Sequence, residues 1–259
     1  MSAGASRASG AGAMAHDTPV GLRSPLHVEI RGSGSDLVML HGGGGGIDDL
    51  AELRERIGAG RRVISPDQRG HGRSPGDGEI SYAAQAADTA ALLDELGVQK
   101  ADVLGWSDGG IVGLLLTRDR PDLVGRLVAI SANAALTSDP PAVVTRVTEW
   151  IAQAHAGDLS MPDGRAALPN AVAEWPEVAE RILAMWRHGP DIEIEDLARI
   201  TASVLYLAAD ADIIPLEHTV AMVRATPGAH LAIVPDADHH LVLKRVDEVA
   251  AIVERFLAG

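Results

Sequence analysis

The sequence predicts an α/β protein with a mostly parallel central sheet, helices on both of its faces, and a helical insertion late in the chain. Three observations carry this expectation. Short continuous apolar runs such as Leu37-Val38-Met39-Leu40 and Leu127-Val128-Ala129-Ile130 suit strands buried on both faces. These runs alternate with segments of helical spacing, the order that builds a parallel sheet covered by helices. Between Asn133 and about Ile200 the alternation gives way to helical patterns without strands. The 259 residues suffice for one domain with a substantial core.

Taken in order, the first 24 residues are rich in Ala, Gly and Ser and read as a disordered extension, with Met14 as an alternative start. They lack the apolar centre of roughly 7–15 residues that a secretory signal uses. Leu26-His27-Val28-Glu29-Ile30 alternates as an edge strand does, and Gly32-Ser33-Gly34-Ser35 turns the chain back. Leu37–Leu40 is the buried strand that ends at His41 and five consecutive glycines, Gly42 to Gly46. Asp48 or Asp49 is placed to cap a helix through about Ile57.

Arg62–Pro66 is the next strand, closed by the turn Asp67–Ser74. Helical spacing runs from Tyr82 to Leu96, where Gly97 supplies the stop. Ala101-Asp102-Val103-Leu104 is a strand, Ile111–Thr117 a helix and Leu127–Ile130 a strand. The insertion, residues 135–200, opens at Pro140-Pro141 and contains helical patterns at Val143–Ala156 and Val178–Trp186. It is expected to form a cap over a core made of 25–134 and 201–259. After it come a strand at Ser203–Leu207, a loop with Asp210, Asp212 and Pro215, a helix at Leu216–Ala225, a last strand at His230–Val234 and a closing helix at Val246–Leu257.

Composition narrows the function classes. Twenty-two Lys and Arg against 36 Asp and Glu give a formal charge of −14, which argues against nucleic-acid or anionic-membrane partners because both require a positive surface. With no cysteine, neither disulfides nor thiolate chemistry is available. No apolar run approaches the roughly 20 residues of a membrane span, so the default expectation is a cytoplasmic protein acting on a small molecule. Aromatic residues are only 3% of the chain, yet the insertion holds Trp150, Trp175 and Trp186, three of its four tryptophans. They either pack the insertion onto the core or line a pocket beneath it.

Chemistry concentrates at Gly105-Trp106-Ser107-Asp108-Gly109-Gly110, between a strand and a helix. A chain that turns sharply from strand to helix needs small residues two positions to either side, because a Cβ there would strike neighbouring backbone. Such a turn lifts Ser107 Oγ clear of the sheet and places the next backbone N–H groups at a helix N-terminus, where they can face a developing oxyanion. A serine nucleophile requires a base and an acid that orients it. Four features fall at strand ends where ligands of such sheets collect: the His41-glycine run, Ser107, the Asp210/Asp212 loop, and Asp238-His239-His240.

The order Ser, Asp, His and these motifs resemble the α/β-hydrolase superfamily from about Leu26 to Gly259. The resemblance implies the catalytic set Ser107, Asp212 and His239, with Asp210 and His240 as rivals for the last two. It implies that the backbone N–H groups of Gly43 and Asp108 form the oxyanion hole. A flexible linker and a phosphate-binding loop are the other uses of such glycines. Asp67–Ser74 resembles the family's D-x-R-G-x-G-x-S turn, a structural element, which leaves Arg69 and His71 outside the catalytic set.

Gly105–Ile111, together with Ala132-Asn133-Ala134, is similar to the valacyclovir hydrolase (biphenyl-hydrolase-like) branch. There the aspartate matching Asp108 recognises the amino group of amino-acid esters. The alternative is a carboxylate stabilised by the helix dipole alone. Trp106, Trp150, Trp186 and His240 complete the expected substrate-binding set with Asp108. The expectation is a serine hydrolase for a small ester, lactone or activated amide, without metal or organic cofactor. A carbon–carbon lyase, a biosynthetic cyclase and a ligand-binding receptor are alternatives for the same pocket.

Overall fold

The computed structural model describes residues 21–135, 145, 148–149, 152–153, 155–156, 175–190 and 192–259. Seven strands form one sheet: β1 (Val28–Gly32), β2 (Ser35–Leu40), β3 (Arg61–Pro66), β4 (Ala101–Trp106), β5 (Val124–Ile130), β6 (Ser203–Ala211) and β7 (His230–Asp238). Their order is β1-β3-β2-β4-β5-β6-β7. Only β1 runs antiparallel to its neighbour; every other pairing is parallel.

The helices with described bounds are α1 (Ala51–Ile57), α2 (Tyr82–Glu95), α3 (Asp108–Asp119), α4 (Trp175–His188), α5 (Leu216–Ala225), α6 (Leu241–Lys244) and α7 (Val246–Ala258). The continuous apolar runs divide between the two faces of the sheet, as a two-residue side-chain period requires. Val38, Leu40, Val103, Leu127 and Ala129 pack with α2, α3 and α4 on one side. Leu37, Met39, Leu104, Val128 and Ile130 pack with α1 and α7 on the other. The expected fold class is therefore observed.

Register aligns the strand ends. Leu40 sits opposite Gly105, Trp106 opposite Ile130, and Ile130 opposite Leu207. Residues that follow these strands, His41, Ser107 and Ser131, consequently emerge along one edge of the sheet.

Several boundaries differ from expectation. The helix ending at Ile57 is entered through a 3-10 turn at Ile47–Leu50, with Gly46 at its N-cap position. Asp49 reaches back to accept the Gly46 N–H at 3.2 Å rather than standing at the cap itself. Strands β6 and β7 run four residues beyond the apolar runs that announced them, because parallel pairing continues to Ala211 and Asp238. Of the expected N-terminal extension, Arg23 and Ser24 are tied to the core, their N–H groups donating to the Glu95 carboxylate at 2.5 and 3.0 Å. Within the expected cap, α4 and a 3-10 turn at Ile194–Arg199 are described. Half of the helix expected at Val143–Ala156, Trp150 included, lies outside the described residues. Among the described residues no helix is long and apolar enough to cross a membrane.

Candidate active site

Ser107 stands between β4 and α3 with φ 54° and ψ −119°, a conformation L side chains rarely adopt. Its flanking glycines explain how the chain reaches it. A Cβ on Gly105 would overlap the Gly109 carbonyl, and a Cβ on Gly109 would overlap the Leu40 carbonyl. The turn is fixed from below by the Ser107 N–H, which donates to Ile130 O at 2.8 Å. The Gly110 and Ile111 N–H groups donate to Ser107 O at 2.8 and 3.1 Å, so α3 begins directly at the serine.

His239 and Asp212 reach this serine from the ends of β7 and β6. His239 Nε2 lies 2.9 Å from Ser107 Oγ, and His239 Nδ1 lies 2.8 Å from Asp212 Oδ1. With Nδ1 carrying the proton toward the carboxylate, Nε2 is free to accept from the serine hydroxyl. The side chains are nearly dry, at 11% exposed for His239 and 2% for Asp212. Burial opposes ionisation of Asp212, but the His239 hydrogen bond and charge outweigh it. Donors from Ser131 and the Ile214 N–H help to hold the carboxyl below its ordinary range.

The two rival residues take other positions. Asp210 accepts the N–H groups of Asp236 and Ala237 at 3.0 and 3.1 Å, which clamps the end of β7 just before His239. His240 opens α6 with its ring edge-on to His239 at 5.9 Å and to Trp106 at 6.0 Å. It is beside the candidate base, not in line with Ser107.

Asp108, the first residue of α3, is buried. One carboxylate oxygen accepts Tyr82 Oη at 3.0 Å, and the other accepts Trp186 Nε1 at 2.7 Å. Burial pushes its carboxyl up, against the opposing effect of those two donors and the nearby His239. Trp186 brings α4 of the insertion directly onto the serine turn. A Cβ at Gly43 would collide with the Asp108 carboxylate and the Trp186 ring, so this loop position requires glycine.

The glycine loop is anchored at both ends. His41 Nδ1 donates to Gly42 O at 2.8 Å, while Nε2 accepts the Gln68 N–H at 2.9 Å. Asp67 accepts the Ile47 N–H at 2.8 Å and the Arg73 N–H at 3.0 Å, tying the 67–74 turn to the far end of the loop.

Trp106 corrects the expected substrate-binding set. It is only 2% exposed, its ring lies against Gly42, and it packs in the core on the α1/α7 side of the sheet. A strand residue preceding the turn points away from the serine side, and the indole N–H instead donates to His239 O at 2.9 Å. Trp186 lies against the site, and Trp150 is outside the described residues.

Sequence reasoning missed Tyr82 and Ser131. Tyr82 had no local signal, because α2 brings it to Asp108 only through tertiary packing. Ser131 did have one: a hydroxyl residue immediately after a buried parallel strand.

The strand order and the serine-bearing turn define the class of α/β hydrolases. A model of the alpha/beta hydrolase family matches residues 37–252, and the chain belongs to that family. Among curated relatives, it is 27% identical over 248 residues to the human serine hydrolase BPHL, covering 90% of this chain and 82% of that one. It is 28% identical over 267 residues to 2-hydroxymuconate semialdehyde hydrolase of Pseudomonas putida, with 92% of each chain covered. A thermophilic esterase from Thermogutta terrifontis shares the fold with a TM-score of 0.74 at 23% identity, over 95% of this chain and 98% of that one. The similarity to BPHL agrees with the resemblance at the serine turn, and hydrolase activity is what the curated relatives have in common.

Proposed function

We propose that the protein is a serine hydrolase that cleaves a small carboxylic ester, lactone or activated amide, aminoacyl esters among them, through an acyl-serine intermediate. The observation that carries this reading is the unbroken hydrogen-bond chain from Asp212 through His239 to Ser107. Ser107 Oγ attacks the carbonyl carbon as its proton passes to His239 Nε2, and Asp212 stabilises the resulting imidazolium. The Gly43 and Asp108 N–H groups receive the oxyanion. His239 then gives its proton to the leaving group, and takes one from the water that releases the acid and restores Ser107. Within the expected cap, α4 carries Trp186 onto the site. Trp186, His240 and the Asp108 carboxylate face the substrate, and a substrate ammonium is the charge that a buried carboxylate with neutral donors would favour.

Ser107→Ala is expected to lower turnover of a p-nitrophenyl ester by about a thousandfold or more with the fold intact. Retained activity would refute the nucleophile assignment. Aminoacyl esters should be hydrolysed faster than their des-amino counterparts by a margin that Asp108→Ala removes. Equal rates would discard ammonium recognition.

A second reading keeps the site for carbon–carbon cleavage, with His239 as base and Ser107 positioning the substrate. Its support is the relative named for a semialdehyde, a substrate without an ester. Turnover of such a keto acid, with none of any ester, would select it.

A further inference from the structure

Ser131 follows the last residue of β5 and is buried, yet it holds φ 49°. A non-glycine residue in this region is under backbone strain, which persists only where surrounding structure enforces it. Three contacts enforce it here. The Ser131 N–H donates to Leu207 O at 2.8 Å on β6, and the preceding residue, Ile130, accepts the Ser107 N–H. The Ser131 hydroxyl donates to Asp212 Oδ2. One turn at the end of β5 thus touches the serine at one end of the hydrogen-bond chain and the aspartate at the other.

The Asp212 carboxylate divides its bonds accordingly. Oδ1 receives His239 Nδ1 at 2.8 Å and the Ile214 N–H at 3.1 Å, while Oδ2 receives the Ser131 hydroxyl. His239 is the titratable side chain facing Asp212, and Ser131 and Ile214 supply neutral donors. Without the hydroxyl, Oδ2 would lose its donor in a position where the side chain is only 2% exposed, and the carboxylate plane would be held through Oδ1 alone.

We propose that Ser131 is a positioning residue for the acid–base pair: its strained turn aims a hydroxyl at Asp212 Oδ2, which fixes the carboxylate plane so that Oδ1 meets His239. The proposal rests on the acyl-serine reading above. It assigns Ser131 no contact with substrate. Its action on the reaction runs through Asp212 and His239.

Glycine and alanine at this position separate the hydroxyl from the backbone. Ser131→Gly removes the hydroxyl and relieves the strain, whereas Ser131→Ala removes the hydroxyl and keeps the strain. Each is compared with wild type and Ser107→Ala for p-nitrophenyl ester kinetics across pH, for the rate of fluorophosphonate labelling, and for Tm. The expected result for Ser131→Gly is a Tm above that of Ser131→Ala and a kcat lower than wild type by about tenfold with KM nearly unchanged. Labelling should slow in parallel. The pH profile of kcat/KM should change, because Asp212 loses a donor that favours its ionised form and its pairing with His239 changes with it. Ser131→Ala should share the kinetic changes and melt lower. Wild-type kcat and pH profile in Ser131→Gly, alongside an inactive Ser107→Ala, would overturn this proposal alone. Full activity in Ser107→Ala would overturn the acyl-serine reading, and this proposal with it.

Discussion

Replacing Asp108 by Asn tests whether the chain keeps a buried carboxylate at the expense of stability. The carboxylate is 6% exposed, and its bonded partners Tyr82 and Trp186 are both neutral. Asn preserves the shape: its carbonyl accepts the Trp186 N–H, and its amide donates to Tyr82 Oη, whose hydroxyl is free to rotate. Burial raises the Asp108 carboxyl above its ordinary value in the folded protein. Between the unfolded and folded values the native state therefore holds a proton that the unfolded chain has released, so stability falls as pH rises through that window. One proton corresponds to about 1.4 kcal/mol per pH unit, or about 3 °C in Tm for a chain of this length. Asp108→Asn lacks this slope. Thermal unfolding of both proteins from pH 4 to pH 8 should show the variant gaining on wild type with rising pH, then a constant gap above the raised value. A gap independent of pH, or a variant that melts below wild type at pH 8, would refute the reasoning. The same variant should lose the preference for aminoacyl over des-amino esters, since Asn cannot neutralise an ammonium.

Two further substitutions probe the supports of the site. Trp106→Phe deletes the donor to His239 O while keeping a ring in the core, and should lower kcat by about tenfold with little change in KM. An unchanged kcat would mean that the Asp210 clamp suffices to hold the His239 loop. Gly43→Ala places a methyl against the Asp108 carboxylate and Trp186, forcing the loop away from Ser107. A fall in kcat of about a hundredfold with unchanged circular dichroism is expected, and wild-type turnover would remove Gly43 from the oxyanion assignment.

The fold was legible because a parallel sheet buried on both faces leaves a signal in every strand: Leu37–Leu40 and Leu127–Ile130 are apolar without interruption, and side chains divide between faces by position alone. The serine turn was legible because its backbone admits only small neighbours at Gly105 and Gly109. Trp106 was misread for a reason of geometry. Successive residues leave a strand on opposite faces, and Trp106 lies with the core on the α1/α7 side. Tyr82 was illegible because its partner lies 26 positions away and no local pattern records that contact. The extents of β6 and β7 were underread because polar side chains such as Asp210 and Asp238 interrupt the apolar run while pairing continues past it.

Backbone strain shows where local preference and tertiary structure disagree. Among the described residues, the non-glycine positions with positive φ are Ser107, Ser131 and Asp236. All three lie at the carboxyl ends of strands, after β4, after β5 and within the last turns of β7. Each donates its N–H to a neighbouring strand end: Ser107 to the Ile130 carbonyl, Ser131 to the Leu207 carbonyl, and Asp236 to the Asp210 carboxylate. Strain placed there by accident would be scattered over loops and would be relieved by glycine, which this chain uses freely at other turns. Its restriction to the three segments that carry the proposed nucleophile, contact the proposed acid and precede the proposed base is what a requirement for side chains at those positions would produce. For Ser107 the requirement is the hydroxyl that meets His239. For Ser131 it is the hydroxyl that meets Asp212, and the same logic that reads the first as functional reads the second.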